Sequence, residues 1–137
     1  MGAVRGWRTP HSGPRALSTR ANARRLGALA ERLACDFLEQ HGLTCIDRNF
    51  RTPRGEIDLV MQDGQVLVFV EVRSRTSNTF IHAAESIDVR KRQRIILASQ
   101  RYLQKYGGRV DCRFDVIIVT GSGTGRKIEW IKRAFDA

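Results

Sequence analysis

Two carboxylates stand inside the most apolar stretch of this 137-residue chain, the segment RGEIDLVMQDGQVLVFVEVRSR from Arg54 to Arg75. Asp58 and Glu71 each interrupt a run of aliphatic residues, where an unpaired carboxylate costs several kcal/mol or takes up a proton. Apolar alternation on both sides of Asp63-Gly64 predicts two strands and a tight turn, since an Asp-Gly pair tolerates the positive φ angles of a hairpin. With those two residues at the turn, Asp58 faces Phe69 and Glu56 faces Glu71. Glu56, Asp58, Phe69, Glu71 and Arg73 then share one sheet face. Asp58 and Glu71 become diagonal neighbours roughly 7–8 Å apart at Cα, close enough for their side chains to converge. Like charges so placed repel unless a cation lies between them, and oxygen-only ligation suits a hard ion such as Mg²⁺ or Mn²⁺. The hairpin reads as half of a metal site.

The flanking elements must position that site. Leu26, Leu29, Ala30, Leu33 and Phe37 recur at three- and four-residue steps, which predicts a helix from about Ala21 to His41 packed on the sheet and stopped by Gly42. Glu31 lies beside this stripe, either as a solvated helix glutamate or as a third carboxylate flanking the metal. Leu43 to Asn49 reads as a short strand leading into a Pro53 turn with a basic rim of Arg48, Arg51 and Arg54. Residues 76 to 84 read as a loop. A second helix, capped by Ser86 or Asp88, runs to about Tyr106 with Val89, Ile96, Leu103 and Ile95, Ala98, Tyr102 as apolar rows, and Gly107-Gly108 ends it. Its first two turns hold Arg90, Lys91, Arg92 and Arg94, either a solvated face or a grip on a nucleic-acid backbone, with Gln93 expected to point inward. Arg113 to Thr120 is a buried strand, and Lys127 to Ile131 pairs with it across GSGTGR, a turn and not a phosphate loop, because no GK[ST] follows. Asp111 and Asp115 are further acids, either near the site or salt-bridged to an arginine. Trp130, Ile131 and Phe135 close the core.

Composition bounds the partners. The net charge is +10, from 24 Lys and Arg against 14 Asp and Glu. The first 30 residues contain six arginines and no acid, so the remainder carries the other +4. Such a balance favours a polyanion, because each neutralised phosphate releases counterions. Residues 1–22 read as a disordered basic arm, a composition shared with organelle transit peptides, and 23–137 as one domain. Cys35, Cys45 and Cys112 form no CxxC pair, which points to buried thiols in a reducing cytoplasm. The apolar runs are far shorter than the roughly 20 residues of a membrane span.

Taken together, Glu31, Asp58 and Glu71-Val72-Arg73, in that order across a hairpin between helices, resemble the PD-(D/E)XK restriction-endonuclease-like superfamily. GALAERLACDFLEQHGLTCIDRNFR, GEIDLVMQDGQVLVFVEVRSR, VRKRQRI and RFDVIIV resemble the YraN-type family of small bacterial proteins, which is similar in layout to archaeal Holliday junction resolvases. The resemblance covers residues 23 to 136. It implies an α/β fold with a restriction-endonuclease-like αβββαβ core, a mixed central sheet flanked by helices. It further implies a metal-dependent nuclease that hydrolyses phosphodiester bonds, with branched or structured DNA as the substrate.

Carried over by residue, Asp58 and Glu71 bind the Mg²⁺ or Mn²⁺, Glu31 is the helix acid near it, and Arg73 takes the place of the superfamily's lysine. Arginine stays charged and can only clamp phosphate, which leaves proton removal to metal-bound hydroxide, to Lys91 or to no group at all. Arg51, Arg54, Arg90, Lys91, Arg92 and Arg94 are the expected nucleic-acid contacts. The alternatives are a catalytically weak nucleic-acid-binding module that retains the fold, and an interaction protein docked through its basic arm. Symmetrical double-strand cleavage calls for a homodimer, with Phe80, Tyr102 and Tyr106 as expected contacts.

Overall fold

The computed structural model describes residues 12–75 and 87–137, with side chains from residue 20 onward. In chain order the elements are α1 (Ser12–Gln40), β1 (Thr44–Thr52), β2 (Gly55–Asp63), β3 (Val66–Arg75), α2 (Val89–Leu103), β4 (Cys112–Thr120) and β5 (Lys127–Phe135). The five strands form one sheet in the order β1-β2-β3-β4-β5. Only β3 and β4, joined through α2, run parallel, and the other neighbours are antiparallel, so the sheet is mixed.

Period-two alternation in the central strands divides the core into two layers. Val68, Val70, Ile117 and Val119 pack with Ala30, Ala34, Cys35 and Leu38 of α1. Leu67, Phe69, Val116 and Ile118 pack with Ile95, Ala98 and Tyr102 of α2. The chain is therefore an α/β sandwich with one helix on each face. The α1 helix ends in a glycine cap: Gly42 has φ +93°, the Gly42 N–H donates to the Glu39 carbonyl, and the Leu43 N–H donates to the Leu38 carbonyl. Leu38 and Leu43 are both buried in the α1 layer, the apolar contact that accompanies such caps. Asp88 caps α2, its Oδ1 accepting the Lys91 N–H at 2.8 Å.

Several expectations need correction. The helix α1 begins at Ser12 and not near Ala21, so residues 12–22 of the supposed arm are helical, and residues 1–11 lie outside the described residues. Pro14 in the first turn is compatible with this start, because a proline there forfeits no helical hydrogen bond. Leu26 and Val89, expected in the apolar rows, are 57% and 66% exposed. Leu26 lies midway along α1, and Val89 is the first residue of α2. The hairpin turn is Gly64-Gln65, with Asp63 paired to Val66. Of these two only Gly64 has a positive φ, +62°, so the glycine leads the turn. This moves the β2–β3 register by two residues: Leu59 faces Val70 in place of Val68, and neither the Asp58–Phe69 nor the Glu56–Glu71 pairing exists. Gln93 faces solvent. Tyr102, expected to touch a second copy, is buried in the core, whereas Tyr106 is exposed. Phe80 and the 76–84 loop lie outside the described residues.

Candidate active site

The β2–β3 ladder stops at Leu59–Val70, although β3 stays paired with β4 as far as Arg75–Thr120. Asp58, the next residue of β2, accepts the Val72 N–H on its Oδ2 at 2.8 Å. A side-chain carboxylate thus takes a strand donor that a neighbouring carbonyl would otherwise accept, and the two strands part there. On the other side of β2, the pairs Arg48–Leu59 and Phe50–Ile57 bracket Asn49 and Asp58. Asn49 is left-handed, with φ 52°, a conformation asparagine adopts more readily than most residues. Ile57 and Leu59 belong to opposite core layers, so alternation in β2 breaks at Asp58 itself. Irregularities of this kind re-aim side chains. Here they release Asp58 into a cleft of about 320 Å³ that reaches both helices.

Glu31 from α1, Glu71 and Arg73 from β3, and Lys91 from α2 line the same cleft as Asp58. Glu71 is only 5% exposed. Burial, then the charge of Asp58 and a hydrogen bond with it, push its carboxyl up to about 8, against the pull of Lys91 and Arg73. Glu71 Oε2 lies 3.4 Å from Arg73 Nε and 3.6 Å from Lys91 Nζ, longer than a close charge-assisted hydrogen bond. Glu31 is raised as well, first by burial and then by Asp58. Its Oε1 accepts from Asn49 Nδ2 at 3.1 Å.

Could these residues hold a divalent ion? Two facing carboxylates, one of them held protonated by burial and repulsion, form an all-oxygen set that an ion between them would satisfy. Among the described residues no group of three or more His, Cys, Asp or Glu is arranged to hold a metal. Two protein ligands still fit Mg²⁺, which keeps several waters and is commonly bound by one or two carboxylates plus phosphate oxygens. Asp58 and Glu71 are the two carboxylates that could supply such a pair, with Glu31 lining the same cleft.

The other expected residues scatter. Arg90 and Arg94 are exposed. Arg92 turns inward, its Nε donating to the Ile87 carbonyl at 3.0 Å and its guanidinium 6.0 Å from the centre of the Phe135 ring. Arg51 pairs loosely with Glu56 at 3.9 Å, and Arg54 lines a separate cavity beside α2. Asp115 is fully buried and away from the cleft. It accepts from Arg113 Nε at 3.1 Å, Trp130 Nε1 at 2.9 Å and the Arg133 N–H at 3.1 Å, where the β4–β5 register shifts. Those bonds make it structural. Asp111 is exposed at the start of β4, beside Leu67 and so at the other end of β3 from Glu71. Sequence reasoning passed over Asn49, whose only signal was a residue tolerant of left-handed backbone inside a strand, and Gly55. A Cβ on Gly55 would run into the Arg94 carbonyl, so this glycine lets α2 lie against the start of β2.

Fold and cleft together define an α/β protein whose mixed sheet, covered by a helix on each face, parts between two strands around paired carboxylates. The chain belongs to the family described as uncharacterised protein family UPF0102, whose model matches residues 30–119. That span contains Glu31, Asp58, Glu71, Arg73 and Lys91. A UPF0102 protein of Pseudomonas paraeruginosa is 46% identical over 125 residues, covering 88% of this chain and all of the relative. One of Chromohalobacter salexigens is 46% identical over 116 residues, covering 85% of this chain and 94% of the relative. One of Nitrosospira multiformis is 46% identical over 110 residues, covering 80% and 92%.

Proposed function

We propose that this protein is a divalent-metal-dependent nuclease of the PD-(D/E)XK type that hydrolyses phosphodiester bonds in DNA, branched or otherwise structured DNA included. The observation that carries the reading is buried Glu71 beside half-buried Asp58 at the parting of β2 and β3, with Arg73 and Lys91 alongside. When bound there, Mg²⁺ or Mn²⁺ supplies charge stabilisation at the scissile phosphate and lowers the pKa of a water. Asp58 and Glu71 hold the ion, and Asp58 is kept in place by the Val72 N–H. Glu31, steadied by Asn49, flanks it. Arg73 clamps a phosphate oxygen as a fixed cation, since its guanidinium does not give up a proton near neutral pH. Lys91 brings a second cation to Glu71 from the opposite helix and neutralises charge as phosphate enters. Free Cys35, Cys45 and Cys112 accord with a reducing cytoplasm. Among the described residues no helix is long and apolar enough to cross a membrane.

A second reading, a binding module without catalysis, is favoured by Arg73 standing where the superfamily has lysine. Incubation of labelled branched, single-stranded and linear DNA with Mg²⁺ or Mn²⁺ separates the two. Cleavage by the wild type that is lost in both Asp58→Asn and Glu71→Gln supports the nuclease. Binding by all three proteins with no cleavage supports the module.

A further inference from the structure

We propose that the outer face of α2 bridges the major groove of a B-form DNA duplex, with Arg94 and Arg101 on phosphates of opposite strands. The inference rests on the cleft being a DNA site and adds where the rest of the duplex lies. The solvent face of α2 and of the turn after it carries Arg90, Gln93, Arg94, Gln100, Arg101 and Gln104, with no acid among them. A Gln-Arg pair at 93–94 recurs at 100–101. Seven residues are two helical turns, about 10.5 Å along the axis, so both pairs lie on one face and Leu97, 38% exposed, stands between them.

Among the described residues, Arg90, Arg94 and Arg101 belong to none of the ion pairs. Three exposed guanidiniums in one row, with no acid facing them among the described residues, make a field suited to a polyanion. The spacing narrows the choice. The major groove of B-DNA is about 12 Å wide, which two arginines two turns apart can span with their side chains. Arginine and glutamine are the side chains that pair with guanine and adenine edges in that groove, and Leu97 is placed to touch a thymine methyl. The major groove of A-form RNA is too deep and narrow for this arrangement.

A second feature marks where the far strand runs. A cavity of about 490 Å³, larger than the cleft, opens between the β1–β2 turn at residues 52–54 and the C-terminal half of α2. Among the described residues no carboxylate lines it, and Arg54 and Arg101 face it from the two sides. Lys91, in the cleft, precedes Arg94 by three residues, under one turn. The strand held by Arg94 is therefore the one whose phosphodiester meets Asp58 and Glu71. Arg101 and Arg54 receive the complementary strand.

The test is the salt dependence of binding to a 25-base-pair duplex and to a single strand of the same length, without added metal. Arg101 is exposed, so Arg101→Gln should fold as the wild type does, which circular dichroism checks. On duplex DNA the variant should lose about 0.9 from the slope of log K against log salt, one phosphate's worth. Between about 50 and 200 mM salt the wild type should therefore lose ~3.5-fold more affinity than the variant. On the single strand the two slopes should coincide. A neutral methylphosphonate at the contacted phosphate of the complementary strand should reproduce the loss in the wild type and add nothing in the variant. Equal duplex slopes, or the same loss on single-stranded DNA or an RNA duplex, would overturn the bridging. If Arg101→Gln is silent while Mn²⁺ uptake through Glu71 persists, the cleft reading survives alone. Failure of the wild type to bind any DNA ends both.

Discussion

Glu71 should make metal binding and folding stability depend on pH in opposite directions. Its carboxyl is pushed up to about 8 by burial and by Asp58, against an ordinary glutamate value near 4.5. Between those two values the folded chain keeps a proton that the unfolded chain has released. Stability of the metal-free protein is therefore fully present below about 4.5 and declines as pH rises toward about 8, by up to ~1.4 kcal/mol per unit. A divalent ion must displace the same proton. Below about 8 each pH unit leaves about tenfold less ionised Glu71, so at pH 6 only ~1% is ready and Mn²⁺ should bind about a hundredfold more weakly than above pH 8. Calorimetric Mn²⁺ titrations at pH 6, 7 and 8, in buffers of different ionisation enthalpy, should show affinity rising about tenfold from pH 6 to 7 and about fivefold from 7 to 8, with close to one proton released at pH 7. Thermal unfolding without metal from pH 5 to 9 should show the opposite slope. Glu71→Gln, a neutral isostere, should bind no Mn²⁺, unfold at nearly constant temperature across this range and be more stable than the wild type at pH 8. Affinity that stays level from pH 6 to 8, or a Glu71→Gln protein that titrates like the wild type, would refute the pairing.

Three further outcomes follow from the packing. Gly55→Ala puts a methyl against the Arg94 carbonyl and should cost about 1–3 kcal/mol in urea unfolding, because backbone must shift to admit it. Asp115→Asn removes one of the two carboxylates paired with Arg113, Asp63 remaining at 3.0 Å, and should destabilise by about 1–3 kcal/mol, with Mn²⁺ affinity of the folded protein unchanged, which calorimetry at low temperature checks. Asn49→Ala forces a non-glycine, non-asparagine residue into left-handed backbone and should cost about 1–2 kcal/mol, whereas Asn49→Gly should recover most of that stability while still lacking the contact to Glu31, so comparing their urea midpoints isolates the backbone contribution.

How far did local pattern reach? Alternation within 55–75 and three- and four-residue spacing in both helices were enough to place the hairpin, the α1 and α2 segments and the buried β4, because those periods are properties of the backbone itself. Acids placed in apolar runs marked Asp58 and Glu71 for the same reason: burying charge is costly wherever the strand ends up. The turn was off by one residue, since Gly64 can lead a turn as readily as end one, and only the completed ladder distinguishes the two. Because moving the turn by one residue shifts the pairing by two, parity is kept over the regular part of the hairpin, and Asp58 and Glu71 line one cleft.

Asp58 and Asp115 show the division most clearly. As letters they are alike, each an aspartate among aliphatic residues in a strand. Asp115 turned out to be fully bonded by Arg113, Trp130 and the Arg133 backbone, partners 2, 15 and 18 residues away in sequence, whereas half-buried Asp58 shares its surroundings with the buried carboxylate of Glu71. Which aspartate is structural and which is open to a ligand depends on what other strands bring to it, and no local period encodes that. The same holds for Lys91 and Arg92, adjacent cations that a single helical step of 100° sends to the cleft and to the Phe135 ring respectively. The sequence determined that two carboxylates would stand inside the apolar runs of one hairpin. Only the tertiary structure, by parting β2 from β3 and laying a helix on each side, decided that they would meet each other and Lys91 in an open cleft.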